Sequence, residues 1–445
     1  MIFEEASLMD GYPGVVKDSL ISLIRRMSEN LARFVKVPGK DFTRGRKLLF
    51  GTVIHTIIAM GGNSIYKELL DASGYDPATA TASAFIQQRD KIRPQAFEFL
   101  LNEFNLSNPG AKSYCGYRLY AVDGSDLHIP TNPADTETHV NCNPAGNGHN
   151  LLHLNAMYDL CNRTYADAVV QPCRLQNESK ALVDMVLRSC AAGKTIVIAD
   201  RAYESYNNLA HIEAKGWNYL IRIKDTGTRC ILHGLQLPRE GQFDICTKRI
   251  LTRKKTAEVR AQPDIYKLVD GGKAVFDFLD KTTPFYPMSF RVLRFKITDD
   301  SYETVITNLS RCEFSPKDIK DLYKMRWGIE TSFRELKYAV GLTNFHSKKR
   351  EHIVQEVFAR IIMYNFAEMI TSHVVISTAD TKHVYQANYT VAIHICRHFL
   401  RLSYNAPPLD VEALIRMNIL PVRPNRSDKR KIRFKTAVSF LYRVA

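Results

Sequence analysis

The spacing of apolar residues changes along the chain and predicts regions of different structure. Over residues 1–110, apolar residues recur every three or four positions, which predicts an all-helical N-terminal domain. The predicted helices cover residues 18–34, 42–60, 64–70 and 83–104, with a break expected near Pro94. A small helical domain with exposed Arg and Lys is typical of duplex DNA binding, and the alternative is an ordinary packing or dimerisation domain.

Residues 111–224 show short alternating or wholly apolar runs instead, which predict strands. The predicted strands cover residues 117–122, 151–160, 165–171, 195–199 and 219–223, with helices over 177–190 and 205–215. The run TIVIA at 195–199 is almost wholly apolar, as expected for a strand that is buried on both faces. Two of these strands are followed directly by an aspartate, Asp123 and Asp200. The pattern predicts an α/β fold in which helices flank a mixed sheet.

Residues 225–302 interrupt this pattern with a β-rich insertion. Its predicted strands cover residues 265–269, 274–279 and 289–297, and Asp270-Gly271-Gly272 predicts a hairpin turn. The insertion contains 14 Lys and Arg against 10 Asp and Glu. This surplus favours a segment that reaches toward DNA, and the alternative is a charged face in contact with solvent only.

A long helix is predicted over Ser315–Gly341. Ser315 is placed to cap its N-terminus, Pro316 takes the first helical position, and Gly341 can end it in the left-handed conformation. Its apolar residues recur at steps of three and four, which predicts one buried stripe. That stripe contains Leu322, Met325, Ile329, Phe333, Leu336 and Val340. A second, polar stripe about 60° wide contains Tyr323, Arg326, Glu330 and Lys337.

The remaining segments are predicted to complete the α/β region and to add a basic end. Residues 303–374 would form the second part of the α/β region, with an amphipathic helix over 348–370. Residues 375–445 would form a helical and basic C-terminal region, with a helix over 389–402. The last 25 residues contain eight Lys and Arg and one acid, so we expect this tail to contact phosphates.

Composition narrows the possible partners. The chain has 445 residues, a net charge of +15 and a pI of about 9.3, which favours nucleic acid over a membrane as the partner. No apolar run is long enough to span a bilayer, and the N-terminus shows no signal-peptide pattern. Nine cysteines without a CxxC pair indicate a reducing compartment. A set of potential zinc ligands matches no zinc motif, and we expect ordinary strand and loop roles for its members. They are His139, Cys142, His149 and His153.

Three carboxylates are placed to share one cleft. Asp123 and Asp200 each follow a strand of one sheet, and Glu330 projects from the helix that is expected to pack on that sheet. At about 4 Å and an effective dielectric near 20, each pair of carboxylates repels by roughly 4 kcal/mol, and divalent cations remove that cost. Oxygen ligands favour Mg²⁺ or Mn²⁺, and two such ions support in-line displacement at a phosphodiester. The residues predicted to hold a backbone phosphate are Tyr323, Arg326 and Lys337.

The polar stripe of the long helix resembles a known family pattern. Its spacing, Y-x2-R-x3-E-x6-K within YKMRWGIETSFRELK, resembles the Y-R-E-K signature of insertion-sequence DDE transposases. AVDGS with Asp123 is similar to the first-aspartate block of that family, and IADRAYES with Asp200 to the second, where Arg201 and Tyr203 follow the acid. The helical segment TASAFIQQRDKIRPQAF also resembles the N-terminal domain of these enzymes. The resemblance spans about residues 40 to 370.

The resemblance implies a ribonuclease-H-like core and cut-and-paste transposition with two Mg²⁺ ions, for which Mn²⁺ can substitute. It implies DNA as partner, as transposon ends and as target, and a homodimer on paired ends in the bacterial cytoplasm, associated with the nucleoid. Asp123, Asp200 and Glu330 would be the catalytic and metal-binding residues. Trp327 is expected to pack rather than to contact a base. Two alternatives stay open: a structure-specific endonuclease on the same core, and a catalytically silent DNA-binding regulator.

Overall fold

The computed structural model describes most of the chain. Its described residues are 11–45, 47–141, 148–224, 230–238, 240–269, 275–298, 301–376 and 384–422. The predicted hairpin at Asp270-Gly271-Gly272, the basic tail beyond residue 422 and Cys142 lie outside these ranges. No helix within them is both long and apolar enough to cross a membrane.

One mixed sheet runs through the centre of the described residues. Its ten strands are β1 (Arg118–Ile129), β2 (His139–Val140), β3 (His149–Asp159), β4 (Thr164–Pro172), β5 (Thr195–Ala199), β6 (Asn218–Ile223), β7 (Phe243–Thr252), β8 (Tyr266–Leu268), β9 (Phe285–Thr298) and β10 (Ser301–Thr307). Their order across the sheet is β2-β3-β1-β5-β6-β10-β9-β7-β8, and β4 also pairs with β3. Strands β1, β5 and β6 are parallel, whereas β3 is antiparallel to β1 and β4. This mixed sheet between helices confirms the predicted α/β, ribonuclease-H-like class.

The pairing of β1 with β5 places the two aspartates side by side. Val122 and Ala199 form the last pair of the parallel ladder, so Asp123 and Asp200 are the next residues on two neighbouring strands. The prediction that the first strand ends at Val122 is wrong. Strand β1 continues to Ile129, because β3 pairs with it antiparallel along that whole stretch. Asp123 therefore lies within β1, where the backbone is hydrogen-bonded to β3.

The strands of the predicted insertion continue the same sheet. Strand β10 pairs antiparallel with β6 on one side and with β9 on the other, and β7 and β8 follow. The predicted strands at 265–269 and 289–297 correspond to β8 and β9. The run at 274–279 contains no strand in its described part, and β7 was not predicted. The boundaries of the five predicted regions stay predictions.

Helices cover both faces of the sheet and form the N-terminal part of the chain. They are α1 (Tyr12–Glu29), α2 (Phe50–Ala59), α3 (Ile65–Ala72), α4 (Ala82–Arg89), α5 (Gln95–Ser107), α6 (Glu178–Arg188), α7 (Tyr206–Ala214), α8 (Ala257–Ala261), α9 (Pro316–Met325), α10 (Trp327–Tyr338), α11 (Arg350–His373), α12 (Tyr389–Arg401) and α13 (Val411–Met417). A small second sheet pairs β11 (Tyr385–Ala387) with β12 (Ile419–Pro421). The expected break at Pro94 is confirmed, because it separates α4 from α5.

Helix α11 is the centre of the largest hydrophobic core. That core joins α1, α2 and α5 to α10, α11 and α12 and to one face of β1, β3 and β4. We expected α11 to be amphipathic, but it is buried on nearly all sides between His352 and Ile370. A helix surrounded by other elements has no solvent face to match a polar stripe. Helices α6 and α7 pack on the opposite face of the sheet, in a second core.

Candidate active site

The predicted long helix is present as two consecutive helices, α9 and α10. Ser315 caps α9 in a capping box with Asp318, and Pro316 is the first helical residue, as predicted. Gly341 follows α10 with φ +90°, which confirms its predicted left-handed conformation. The expectation of one unbroken helix is wrong at Arg326, whose N–H donates to the carbonyl of Tyr323 rather than one residue further back. This tighter turn separates the two helices.

The apolar stripe fixes which way these helices face. Leu322, Ile329 and Leu336 are wholly buried against the sheet, as the spacing predicts. Lys337 then reaches across to β1, where its Nζ donates to Ser125 Oγ at 2.7 Å and to the carbonyl of Asp126 at 2.9 Å. This contact ties α10 to the segment of β1 that follows Asp123.

The three predicted acids lie on the side of the sheet that α9 and α10 cover. Side chains alternate along a strand, so Asp123 shares the face of Ala121, which packs in the core with Ile329. The Asp200 charge acts on both Asp123 and Tyr323 of α9, which places it on that side as well. Asp200 Oδ1 accepts a hydrogen bond from the Ala202 N–H at 2.8 Å. The structure therefore places these acids on one side of the sheet, where the charges of Asp200 and Glu330 act on Asp123, and their role in metal binding stays a prediction.

Arg326 lies between two of the acids. Its Nη1 is 3.5 Å from Asp123 Oδ2, and its Nη2 is 2.7 Å from Glu330 Oε1. The pKa of Asp123 is raised to about 6, and burial is the largest cause. The Gly124 N–H and Arg326 lower this pKa, whereas the charges of Asp200 and Glu330 raise it. One guanidinium is thus not enough to neutralise this group of carboxylates.

The residues predicted to clamp a phosphate point inward in this structure. Tyr323 and Arg326 are only 4% and 6% exposed, and Lys337 is half-buried. Burial raises the pKa of Tyr323 to about 12, and its hydroxyl has no hydrogen-bond partner among the described residues. Their role in DNA binding stays a prediction. The expectation that Trp327 packs inside is wrong, because the residue is 56% exposed at the start of α10.

The donor atoms at this site fit a hard divalent cation in their chemistry, but they are not spaced closely enough to coordinate one ion together. Carboxylate oxygens are the ligands that Mg²⁺ and Mn²⁺ prefer. Asp123 interacts with the charges of Asp200 and Glu330, and the Tyr323 hydroxyl is a polar group without a hydrogen-bond partner among the described residues. Across the described ranges, no three His, Cys, Asp or Glu side chains are already arranged to hold a metal ion. At this site, Arg326 occupies the space between Asp123 and Glu330.

A second cluster on the opposite face of β1 was not predicted. His153 of β3 pairs with Asp126, its Nδ1 2.8 Å from the carboxylate, and its Nε2 is 3.1 Å from Glu178 of α6. Burial alone would lower the pKa of His153, but its hydrogen bond to Asp126 and its ion pair with Glu178 raise it to about 9. A Cβ on Gly124 would lie 2.5 Å from the His153 ring, so only glycine fits there. The sequence analysis did not bring these members together, because no motif links β1, β3 and α6 at these positions.

The two other histidines weighed as zinc ligands have ordinary contacts. His139 Nδ1 lies 3.0 Å from the side-chain oxygen of Asn150, and the His149 ring lies tilted against the His128 ring with centroids 5.4 Å apart. Together with the ion-paired His153, these contacts agree with the expectation of strand and loop roles.

Sequence comparison identifies the family of this fold and site. The family of the transposase DDE domain matches residues 114–366, which is more than half of the chain and includes all three acids. The chain belongs to the DDE transposase family. At that general level, this transposase is an enzyme that cleaves DNA and transfers strands.

Other comparisons of the transposase are distant. No curated protein matches it in sequence. Among solved structures it is similar to a piggyBac transposase, determined by cryo-EM as a synaptic complex with hairpin DNA. The two are 11% identical with a TM-score of 0.46, and the match covers 94% of this chain and 88% of the other. A likeness of this extent indicates neither a shared site nor a shared activity.

Proposed function

We propose that this protein is the transposase of an insertion sequence, with Asp123, Asp200 and Glu330 as its catalytic residues. One observation carries the proposal. Asp123 and Asp200 directly follow Val122 and Ala199, the last pair of the parallel β1–β5 ladder. Helix α10, which packs on the same face of the sheet, carries Glu330. The spacing of Tyr323, Arg326, Glu330 and Lys337 further supports the Y-R-E-K group within the family.

The three acids would hold two Mg²⁺ ions, or Mn²⁺ in their place. When bound, such ions activate the attacking hydroxyl and stabilise the leaving oxygen of an in-line displacement. The protein's own part is to hold these carboxylates on a rigid sheet edge and helix. Water would attack the phosphodiester at the element end, and the freed 3′-hydroxyl would then attack target DNA.

The substrate in this proposal is double-stranded DNA, first the element ends and then the target. The net charge of +15 supports a polyanionic partner. Tyr323, Arg326 and Lys337 would position a backbone phosphate near the acids once the inward-facing side chains turn toward it. A homodimer on paired ends, in the bacterial cytoplasm at the nucleoid, completes the proposal.

Glu330→Gln tests the assignment, because it removes one metal-binding charge and keeps the side-chain shape. The variant should bind a duplex carrying the inverted repeats that border the gene as well as the wild type does. Its rates of nicking and joining should fall by more than about 100-fold, since even outer-shell changes at metal sites cost 10–100-fold. Asp321→Asn, which alters an exposed carboxylate on α9, should change neither quantity.

Three results would redirect the proposal. Normal strand transfer by Glu330→Gln would refute the assignment of Glu330. Cleavage by the wild type without joining of a 3′-hydroxyl donor would favour a structure-specific endonuclease. Binding without cleavage in Mg²⁺ or Mn²⁺ would favour a silent regulator.

A further inference from the structure

Arg326 has an unusual position for a residue expected to contact DNA. Its side chain is 7% exposed, and its two terminal nitrogens lie near Asp123 and Glu330. The third nitrogen, Nε, is buried without a hydrogen-bond partner among the described residues. The guanidinium is therefore held by its contacts with the two acids and with the neighbouring Tyr323 and Trp327 rings, and its Nε makes no hydrogen bond to them.

The guanidinium occupies the space that a metal ion on these acids would need. Mg²⁺ requires oxygens at about 2.0–2.1 Å in a strict geometry. Asp123 and Glu330 cannot approach one ion that closely while Arg326 separates them. The guanidinium and the ion would also repel each other as like charges at short range.

The surroundings of Arg326 allow its guanidinium to move from between the acids toward solvent. It forms the junction between α9 and α10, and its guanidinium carbon is 5.5 Å from the ring centroid of Trp327, which is exposed. An arginine can remain stacked on such a ring while its charged end moves toward solvent. A phosphate of bound DNA would offer that end two hydrogen bonds in place of those with the acids.

We propose that Arg326 is an internal counter-ion that keeps the acids from binding metal until a DNA phosphate draws it away. Metal binding and DNA binding are then coupled, and each strengthens the other by the same factor. The inference rests on the proposed function for the identity of the two ligands, a divalent cation and duplex DNA. It assigns to Arg326 a role in the free protein as well as in the complex.

A titration of the metal-free protein with Mn²⁺ tests whether Arg326 opposes metal binding in the absence of DNA. Electron paramagnetic resonance measures the free Mn²⁺. Arg326→Gln keeps a long polar side chain and removes the charge, so it should bind Mn²⁺ about tenfold more tightly or better than the wild type. Arg334→Gln is the matched control, because Arg334 is exposed on α10 and should leave the affinity unchanged. Equal affinities of wild type and Arg326→Gln would overturn the proposal. A purely structural role for Arg326 predicts that equality together with a lower melting temperature.

The same titration with duplex DNA tests the coupling. The probe is a blunt-ended duplex of arbitrary sequence at low salt, and the Mn²⁺ that it binds alone is subtracted. The duplex should tighten Mn²⁺ binding to the wild type about tenfold and to Arg326→Gln hardly at all, since coupling is lost with the counter-ion. An unchanged wild-type affinity would overturn the gating role.

A double variant separates this inference from the proposed function. Arg326→Gln with Glu330→Gln should lose the gain in Mn²⁺ affinity, which shows that the ion binds at these acids. A gain that persists in the double variant would overturn the proposal. These titrations involve no turnover, so they can fail while Glu330→Gln still abolishes cleavage, and the two failures are distinguishable.

Discussion

Two buried clusters in this protein pair an arginine with carboxylates, and they differ in how completely the acid is satisfied. In the helical region, Glu356 of α11 accepts from Arg89 at 2.8 Å and from the backbone and ring nitrogens of His346 at 3.0 and 3.1 Å. In the sheet region, Arg326 contacts Asp123 and Glu330, while Asp200 adds a third charge. Each cluster centres on one buried arginine that pairs with at least one carboxylate.

The pKa values of the acids show the difference. Burial raises the pKa of Glu356, but Arg89 and His346 outweigh it and hold the pKa far below its usual range. For Asp123 the burial effect prevails and the pKa rises to about 6. A buried carboxylate that is fully hydrogen-bonded and ion-paired stabilises the fold. A carboxylate with too few such partners costs stability and indicates a site for a missing ligand. The comparison predicts that neutralising the two acids has opposite effects on stability.

The largest effect is expected for Glu356→Gln. Removing this charge leaves Arg89 buried without its carboxylate, which costs about 3–5 kcal/mol of the free energy of unfolding. The contribution of Glu356 should be fully present above the unfolded pKa near 4.5 and should be lost progressively as the pH falls from there through the much lower folded pKa, so it is only partly lost at pH 3.5. Urea unfolding at pH 7.5 and pH 3.5 measures both quantities. A loss of unfolding free energy below about 1 kcal/mol at pH 7.5 would contradict the claim that Glu356 stabilises the fold.

A smaller effect of opposite sign is expected for Asp123→Asn. The folded protein binds this proton more tightly than the unfolded chain, so ionising Asp123 destabilises the fold as the pH rises from about 4 through 6. In the presence of EDTA, the variant should gain about 1–3 kcal/mol at pH 7.5, and the gain should vanish near pH 4. Asp126→Asn is the matched control on the opposite face of β1. It should destabilise the protein at pH 7.5, since it removes a partner of charged His153.

The smallest effect is expected for Glu351→Gln. Glu351 lies on α11 like Glu356 and pairs with Lys36 at 2.6 Å, but its side chain is 46% exposed. Exposed pairs contribute about 0.2–1 kcal/mol because water screens them, so we expect a loss below 1 kcal/mol in the same urea experiment. The order of the changes in unfolding free energy for the three variants then separates the effect of how fully a carboxylate is paired from the effect of removing a charge. A loss as large as that of Glu356→Gln would contradict it.

The sequence predicts best those features that depend on neighbouring residues. The strand at 195–199, the cap at Ser315 and the turn at Gly341 are all present, because short-range sterics and hydrogen bonds decide them. Asp123, Asp200 and Glu330 were predicted to converge, since two follow apolar strands and the third lies beside an apolar stripe. Family resemblance then added their roles, which stay predictions.

Features that depend on distant partners could not be predicted. Strand β1 extends beyond Asp123 because β3 pairs with it, and no local pattern in β1 shows that partner. Helix α11 has a polar stripe in sequence, but Arg89 and other distant side chains satisfy its polar residues inside the core. The position of Arg326 between two acids likewise depends on how a helix and a strand meet. Sequence placed it on the right stripe without showing where its charge would lie.

The continuity of the sheet from β1 to β7 sets a fixed distance within the molecule. Five strand spacings separate β1 from β7, at about 4.8 Å each, so the two lie roughly 24 Å apart along the sheet. Hydrogen bonds join every pair of neighbouring strands in between, with one register irregularity in the β9–β10 ladder at Ser301 and Tyr302. That length equals about seven base pairs of DNA at 3.4 Å each. Should the proposed contact between the insertion and DNA exist, a duplex that reached both β7 and Asp123 would span about seven base pairs, and this spacing would set the distance from that contact to the cut.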